Sequence, residues 1–204
     1  MLQPTVIHFV RHGEVFNPGQ IYYGRSPRFG LSPTGLLQAE RTAQALTALN
    51  ISLVVSSPLL RARQTAQVIN ARIGLKTVKI SRLLNEVYTP FDGQPQADLQ
   101  ARKWDIYTGN QSPYEQPADV LNRVKIFIQR MVSSYQGRQI VAVTHGDIIM
   151  FMALWANGHA LTLENKKKLQ VFGPPDHYPG HASMTKLTMQ GNLIQVSVQP
   201  GQDH

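Results

Sequence analysis

The 204-residue chain contains no cysteine. That excludes disulfides, thiolate chemistry and cysteine-ligated zinc, although it does not exclude secretion. Acidic residues are few: 12 Asp and Glu stand against 20 Lys and Arg, for a net charge of +8. Such a balance favours an anionic partner without choosing among nucleic acid, an acidic membrane surface and a phosphorylated small molecule. A solubilising surface explains the charge equally well. Long hydrophobic runs are also missing. The longest, Ile148 to Ala156, is far short of the ~20 residues that span a bilayer. Met1 to Thr5 carries no basic segment and runs straight into a strand-like stretch, so no signal peptide is expected and the cytoplasm is the default location. No tight His/Asp/Glu spacing of the His-Glu-x-x-His kind occurs, which gives a zinc site no support.

What is present describes a folded globule, with 42% apolar and 16% charged residues, of a length read as one domain. Val6 to Val10 is continuously β-branched and aromatic around His8, as in a buried strand. Phe16 to Ser32 has no period and reads as loop. Ser32-Pro33 starts a helix with Ser32 as cap; Leu36, Ala39, Ala43, Leu46 and Leu49 form its apolar face, and Asn50 can end it. Ile51 to Val55 is a second strand, and Ser57-Pro58 repeats the capping device before a helix that Gly74 closes. Thr77 to Ile80 is a short third strand. Periodicity then fails from Leu84 to Gln116, a cap-like excursion of a length that is usually functional. A helix follows from Pro117 to Tyr135, then a strand from Gln139 to Thr144, then a buried helix from Asp147 to Ala156. Met184–Met189 and Leu193–Val198 read as a hairpin turned by Gly191-Asn192. Alternating strands and helices predict an α/β fold: a three-layer α/β/α sandwich on a mostly parallel sheet with an antiparallel edge.

Three strand ends carry suggestive residues. The first gives Arg11-His12-Gly13-Glu14, the second leads through Ser57-Pro58 to Arg61, and the fourth gives His145-Gly146. In a parallel sheet these ends share one edge, where open α/β sheets build their sites. Two arginines, two histidines and a helix N-terminus would face one crevice, and guanidinium forks and helix N-termini both favour oxyanions. Each element alone has a purely structural explanation; their joint placement favours function. His8, His159, His177 and His181 are set apart from this group, and Lys166-Lys167-Lys168 reads as a solvated charge run.

The chain resembles the histidine phosphatase, or phosphoglycerate mutase-like, superfamily. The matching segments are Val10-Arg-His-Gly-Glu14, Leu31-Ser-Pro-Thr-Gly35 with Gln38-Ala39-Glu40, Ser56-Ser-Pro-Leu-Leu-Arg-Ala-Arg-Gln-Thr-Ala66, Leu84-Asn-Glu86 and Val143-Thr-His-Gly146. They span most of the chain. The resemblance implies that His12 is the nucleophile, that Arg11, Arg61 and His145 bind the transferring phosphoryl group, and that Glu86 is the proton donor. Asn17 matches a phosphate-contacting asparagine, and Gly24, Arg25 and Gly146 join it as candidate substrate-binding residues. Val15 stands where many members carry Thr, which removes a hydroxyl contact but no essential group.

These roles are chemically consistent. Phosphate-monoester hydrolysis is among the slowest uncatalysed reactions, and a covalent intermediate divides it into easier steps. Neighbouring guanidinium charge should keep the His12 imidazole neutral and Glu86 must start protonated. No metal and no cofactor are needed where cations already face the anion. The expected activity is a metal-independent phosphomonoesterase acting on a small phosphorylated metabolite, with neither nucleic acid nor membrane as partner; a homodimer is left open. The alternatives are a cofactor-dependent phosphoglycerate mutase and a non-catalytic binder of phosphorylated ligands. The excursion holds only Arg102 and Lys103 in its middle, less basic than the mutase pattern, which favours hydrolysis. Tyr22, Tyr23 and Arg25 add aromatic and cationic contacts; aromatic, sugar-like and nucleotide-like leaving groups stay open.

Overall fold

The structure is a computed structural model that describes residues 3–169, 172, 178–191 and 193–199. A continuous apolar run becomes strand β1 (Thr5–Arg11), and helix α1 (Pro33–Leu46) follows the long first loop. Strand β2 (Ile51–Ser56), helix α2 (Leu60–Ile73) and strand β3 (Val78–Ile80) come next. The excursion contains a turn of 3₁₀ helix at Arg82–Leu84 and the short helix α3 (Gln96–Ala101). Helix α4 (Pro117–Ser134), strand β4 (Gln139–Thr144), helix α5 (Gly146–Ala156) and helix α6 (Leu163–Lys168) precede strands β5 (Met184–Gln190) and β6 (Leu193–Gln199).

The six strands form one sheet in the order β3-β2-β4-β1-β5-β6. The first four in that order are parallel, and β5 and β6 pair antiparallel to their inner neighbours. Alternation along each strand feeds two cores. Ile7, Phe9, Val55, Ile140 and Ala142 face α4 and α5 on one side of the sheet. Val10, Val54, Val141 and Val143 face the alanine-lined sides of α1 and α2 on the other. This is the expected three-layer α/β/α arrangement. Among the described residues no helix is long and apolar enough to cross a membrane.

Local differences from the sequence reading have physical causes. The buried face of α1 runs through Gly35, Ala39, Ala43 and Leu46, while Leu36 is exposed. The face is rotated because Gly35 and Gly13 lie backbone against backbone: a side chain on Gly13 would strike the Gly35 carbonyl, and one on Gly35 the Glu14 carbonyl. Ser32 caps α1 as expected, its hydroxyl accepting from the Gly35 N–H at 3.0 Å and donating to Glu14 Oε1 at 2.6 Å. Helix α1 ends at Leu46, before Asn50, and Thr47 closes it. Ser57, by contrast, is not the cap of α2. That helix starts two residues after Pro58 with Leu59 at the cap position and no side-chain cap bond, because Ser57 extends the sheet ladder by donating its N–H to the Val143 carbonyl at 2.9 Å. Gly74 closes α2 in the left-handed region, at φ 74°. Of the proposed hairpin turn, Gly191 has φ 58°, and Asn192 lies outside the described residues.

Candidate active site

The parallel strands β1, β2 and β4 end side by side, and their C-terminal ends deliver the side chains that the sequence points to. His12 follows β1 directly and is 1% exposed. Its backbone N–H continues the ladder to the Thr144 carbonyl at 3.0 Å, one residue before His145. Its Nδ1 lies 2.8 Å from the Gly13 carbonyl. A carbonyl only accepts, so Nδ1 carries the proton and Nε2 keeps its lone pair. Arg61 Nε donates to that Nε2 at 3.2 Å. Burial first, then the charges of Arg61 and Arg11, hold the His12 pKa well below the usual histidine range. The geometry therefore presents a neutral imidazole whose unprotonated Nε2 is held, among the described residues, only by the Arg61 Nε–H.

Arg61, in the first turn of α2, has no solvent-accessible surface. Its Nη2 donates to the Gly24 carbonyl at 2.6 Å and lies 3.4 Å from His145 Nδ1 and 3.8 Å from Glu86 Oε2. The Tyr23 ring covers the guanidinium at 4.6 Å, a cation–π contact that shields it from water. Arg61 Nη1 and Arg11 Nε are buried and have no hydrogen-bond partner among the described residues. Leaving charged donors unsatisfied in a dry site is costly; an oxyanion carries the acceptors they lack.

His145 caps α5 at the end of β4. Its Nε2 is 2.8 Å from Ser57 Oγ and its Nδ1 3.5 Å from Glu86 Oε2. Burial and the Arg61 charge lower its pKa as well. Ser57 thus orients a site histidine, a role that a cap-like Ser-Pro sequence does not announce. Glu86 follows the 3₁₀ turn. Its Oε1 accepts from the Val87 N–H at 2.9 Å, and Oε2 faces Arg61 and His145. Desolvation raises its pKa, and the nearby Asp147 charge adds to the rise against Arg61. A carboxyl that holds its proton longer than usual thus shares the pocket with histidines that resist protonation, a separation of pKa values that suits acid–base work.

The four candidate substrate-binding residues are placed differently. Gly24 holds Arg61 through its carbonyl; it has φ 35°, and a side chain there would collide with Asp92. Arg25 reaches behind Glu86, donating from Nε to its backbone carbonyl at 2.7 Å and pairing with Glu115 at 2.8 Å. Arg123 of α4 grips the same carbonyl and the same Glu115, so two arginines fix the segment that carries the acid. Asn17 closes its own loop, both amide atoms bonding the Ile21 backbone. Gly146 opens the space that Tyr178 fills, since a side chain there would overlap the Tyr178 hydroxyl end.

Asp147 and Lys166 went unrecognised in the sequence. Asp147, in the first turn of α5, accepts from Tyr107 of the excursion, from Tyr178 at 2.8 Å and from Lys166 Nζ at 2.8 Å. Lys166 lies 5.3–5.8 Å from the Tyr107, Phe151 and Tyr178 ring centres. It is a half-buried ion-pair partner, which corrects its reading as part of a solvated run; the side chains of Lys167 and Lys168 lie outside the described set. The Arg11 guanidinium packs over Tyr178 at 5.2 Å and donates to the Pro179 carbonyl at 2.7 Å. Asp147 therefore steadies Arg11 through Tyr178. Gly146→Ala should displace Tyr178 and lose this support: we expect a lower melting temperature, by about 1–3 kcal/mol of overpacking, together with a raised KM for phosphate esters. An unchanged KM would show that Arg11 does not depend on Tyr178.

His181 also requires a correction. Set apart in the sequence reading, it lies with its ring centre 5.9 Å from that of His12. His8 is buried and bonds Gln139 at 2.9 Å; His177 lies outside the described residues. Among the described residues no group of three His, Asp or Glu side chains could hold a metal ion.

The fold and this site define an α/β protein with a histidine- and arginine-lined pocket at the C-terminal edge of its parallel strands. The chain belongs to the histidine phosphatase superfamily (branch 1), whose family profile matches residues 7–196. It is 33% identical over 175 residues to an uncharacterized protein of Mycobacterium tuberculosis, covering 82% of this chain and 86% of that one. YhfR of Bacillus stearothermophilus shares the fold with a TM-score of 0.81 at 20% identity, covering 98% of each chain. A mycobacterial glucosyl-3-phosphoglycerate phosphatase does so with a TM-score of 0.78 at 24% identity, over 99% of this chain and 100% of that one.

Proposed function

We propose that this protein is a phosphomonoesterase that works through a phosphohistidine on His12, needs no metal and acts on a small phosphorylated metabolite in the cytoplasm. The observation that carries the reading is the unprotonated Nε2 of a buried, neutral His12, oriented by Arg61 and beside two unpaired guanidinium N–H groups. In the first step Nε2 attacks phosphorus while the ester P–O bond breaks and Glu86 gives its proton to the leaving oxygen. In the second, the Glu86 carboxylate takes a proton from water as the water oxygen attacks phosphorus and the P–N bond breaks. Inorganic phosphate leaves, and His12 and the Glu86 proton are restored. Arg11, Arg61 and His145 face the equatorial oxygens, the charge stabilisation that phosphoryl transfer chiefly needs. Hydrolysis is favoured over mutation because the cations beside Glu86 and in the excursion are already engaged: Arg25 and Arg123 on Glu115, and Arg102 on the Phe91 ring and two backbone carbonyls. The fold shared with a mycobacterial glucosyl-3-phosphoglycerate phosphatase is compatible with a metabolite ester as substrate.

Turnover of p-nitrophenyl phosphate in EDTA, inhibited by vanadate, is the expected result. Strict metal dependence would defeat the reading, and rapid isomerisation of 3-phosphoglycerate with a trace of the 2,3-bisphosphate would replace it with a mutase.

Glu86→Gln supplies a sharper test. For alkyl phosphates kcat/KM should fall roughly 10²–10⁴-fold, the range of general acid catalysis, and far less for p-nitrophenyl phosphate, whose leaving group needs no proton. The pH profile follows from the two shifts. His12 must be neutral, so the acid limb lies below 6.5; Glu86 must be protonated, so the basic limb lies above 4.5 and activity falls as pH rises through it. In Glu86→Gln that basic limb should disappear. Equal losses for both substrates would remove Glu86 from the role.

A further inference from the structure

We propose that His181 is a third imidazole of the phosphate pocket, donating an N–H to the phosphoryl oxygens carried by His12. The inference rests on the phosphatase reading of the site and extends it to a residue outside the matched motifs.

The segment that carries His181 is fastened to the end of β1 at three points. Arg11 Nη1 donates to the Pro179 carbonyl at 2.7 Å, the Ala182 N–H to the His12 carbonyl at 3.2 Å, and the Arg11 N–H to the Ser183 carbonyl at 3.2 Å. Between these anchors Ala182 takes a left-handed φ of 53°, a conformation that a residue with a side chain adopts at a cost and that persists where surrounding structure imposes it. The result is an imidazole held 5.9 Å from the nucleophile, ring centre to ring centre, at a tilt of 43°. His12 has a second imidazole neighbour, His145, at 5.3 Å, and Tyr23 on a further side at 6.3 Å. Two imidazoles and the Arg61 guanidinium thus flank the His12 ring.

Neither His181 ring nitrogen has a hydrogen-bond partner among the described residues. Every other buried or half-buried imidazole discussed above has one: His8 bonds Gln139, His12 bonds Gly13 and His145 bonds Ser57. His181 is only half-buried, so its ring N–H remains available to a ligand entering the pocket. Two arginine nitrogens in the same pocket are buried without a partner among the described residues, and an anion that satisfies them would lie within reach of the His181 ring beside His12. Burial and the adjacent Arg11 charge push the His181 pKa down to about 3, so it enters as a neutral donor in either tautomer and adds no charge to the already cationic site.

Vanadate and inorganic phosphate binding, measured by calorimetry, tests this without requiring turnover. His181→Phe keeps the ring and removes the N–H; His181→Ala removes both; His181→Asn restores a donor. We expect vanadate affinity to fall roughly ten- to hundredfold in the Phe and Ala variants, the range for a hydrogen bond to a charged group, and to recover largely in Asn. Wild-type affinity in both Phe and Ala overturns the assignment while leaving the phosphatase reading intact. Loss in Ala with full affinity in Phe also overturns it, because packing then explains the effect. A wild-type protein that binds neither anion defeats both.

Discussion

His12→Ala leaves a folded protein that has lost turnover by roughly four or more orders of magnitude, the scale on which removal of a covalent nucleophile acts. The reasons are local. His12 contributes little to the packing of either sheet face: the strand residues before it fill the core, and its ring is held by Gly13 and Arg61 rather than by apolar neighbours. The melting temperature should therefore change by only a few degrees. Chemistry has no substitute, because the other imidazole bonded to Arg61, His145, has its Nε2 taken by Ser57. Rapid alkaline quench of wild-type protein with a ³²P-labelled ester should trap an acid-labile, base-stable phosphoenzyme that the variant lacks. A phosphoenzyme of equal yield in His12→Ala would place the nucleophile elsewhere.

The sequence disclosed the sheet and its working edge because those depend on short-range signals. Apolar runs such as Val6–Val10 and Gln139–Thr144 can only be buried strands, and the glycine after each terminal histidine marks the turn into the site. It disclosed much less of what supports the site, since that is built from pairs far apart in the chain. Asp147 meets Tyr107, Lys166 and Tyr178 across separations of 40, 19 and 31 residues. Ser57 meets His145 across 88. No spacing rule links such residues, and each has a commoner explanation on its own: a helix cap, a solvated lysine, a first-turn acid. The one available signal was the acid at the second position of an otherwise apolar helix, where Asp147 must be buried with partners. His181 was passed over for the same reason. Its place depends on the antiparallel pairing of β5 with β1, which returns residues near 181 to the end of the first strand. Arg25 shows the converse case: the sequence placed it near the substrate, and it lies near Glu86 but with its donors facing the backbone and Glu115.

Arg61→Met should abolish activity without weakening the fold. The guanidinium is wholly enclosed, and the groups around it are two histidines kept neutral, a carboxyl with a raised pKa, a carbonyl and an aromatic ring. The Glu86 carboxyl at 3.8 Å offsets only part of its desolvation, which costs several kcal/mol for a buried ion. Methionine fills similar volume, removes that cost and leaves the Gly24 carbonyl unpaired, a loss of about 1–3 kcal/mol. The melting temperature is therefore expected to hold or rise, the signature of a residue kept for function at the expense of stability. Meanwhile kcat/KM should drop roughly 10³–10⁵-fold, the contribution of a transition-state arginine in phosphoryl transfer. Arg61→Lys should not rescue it: an ammonium cannot bond His12, Gly24 and a phosphoryl oxygen from one plane. Two titrations follow by sign. The Arg61 charge lowers both His12 and Glu86, so in Arg61→Met both pKa values should rise, which NMR of the His12 ring proton can record. A lysine variant with near wild-type kcat/KM would show that charge alone, and not the guanidinium fork, holds the anion against Nε2.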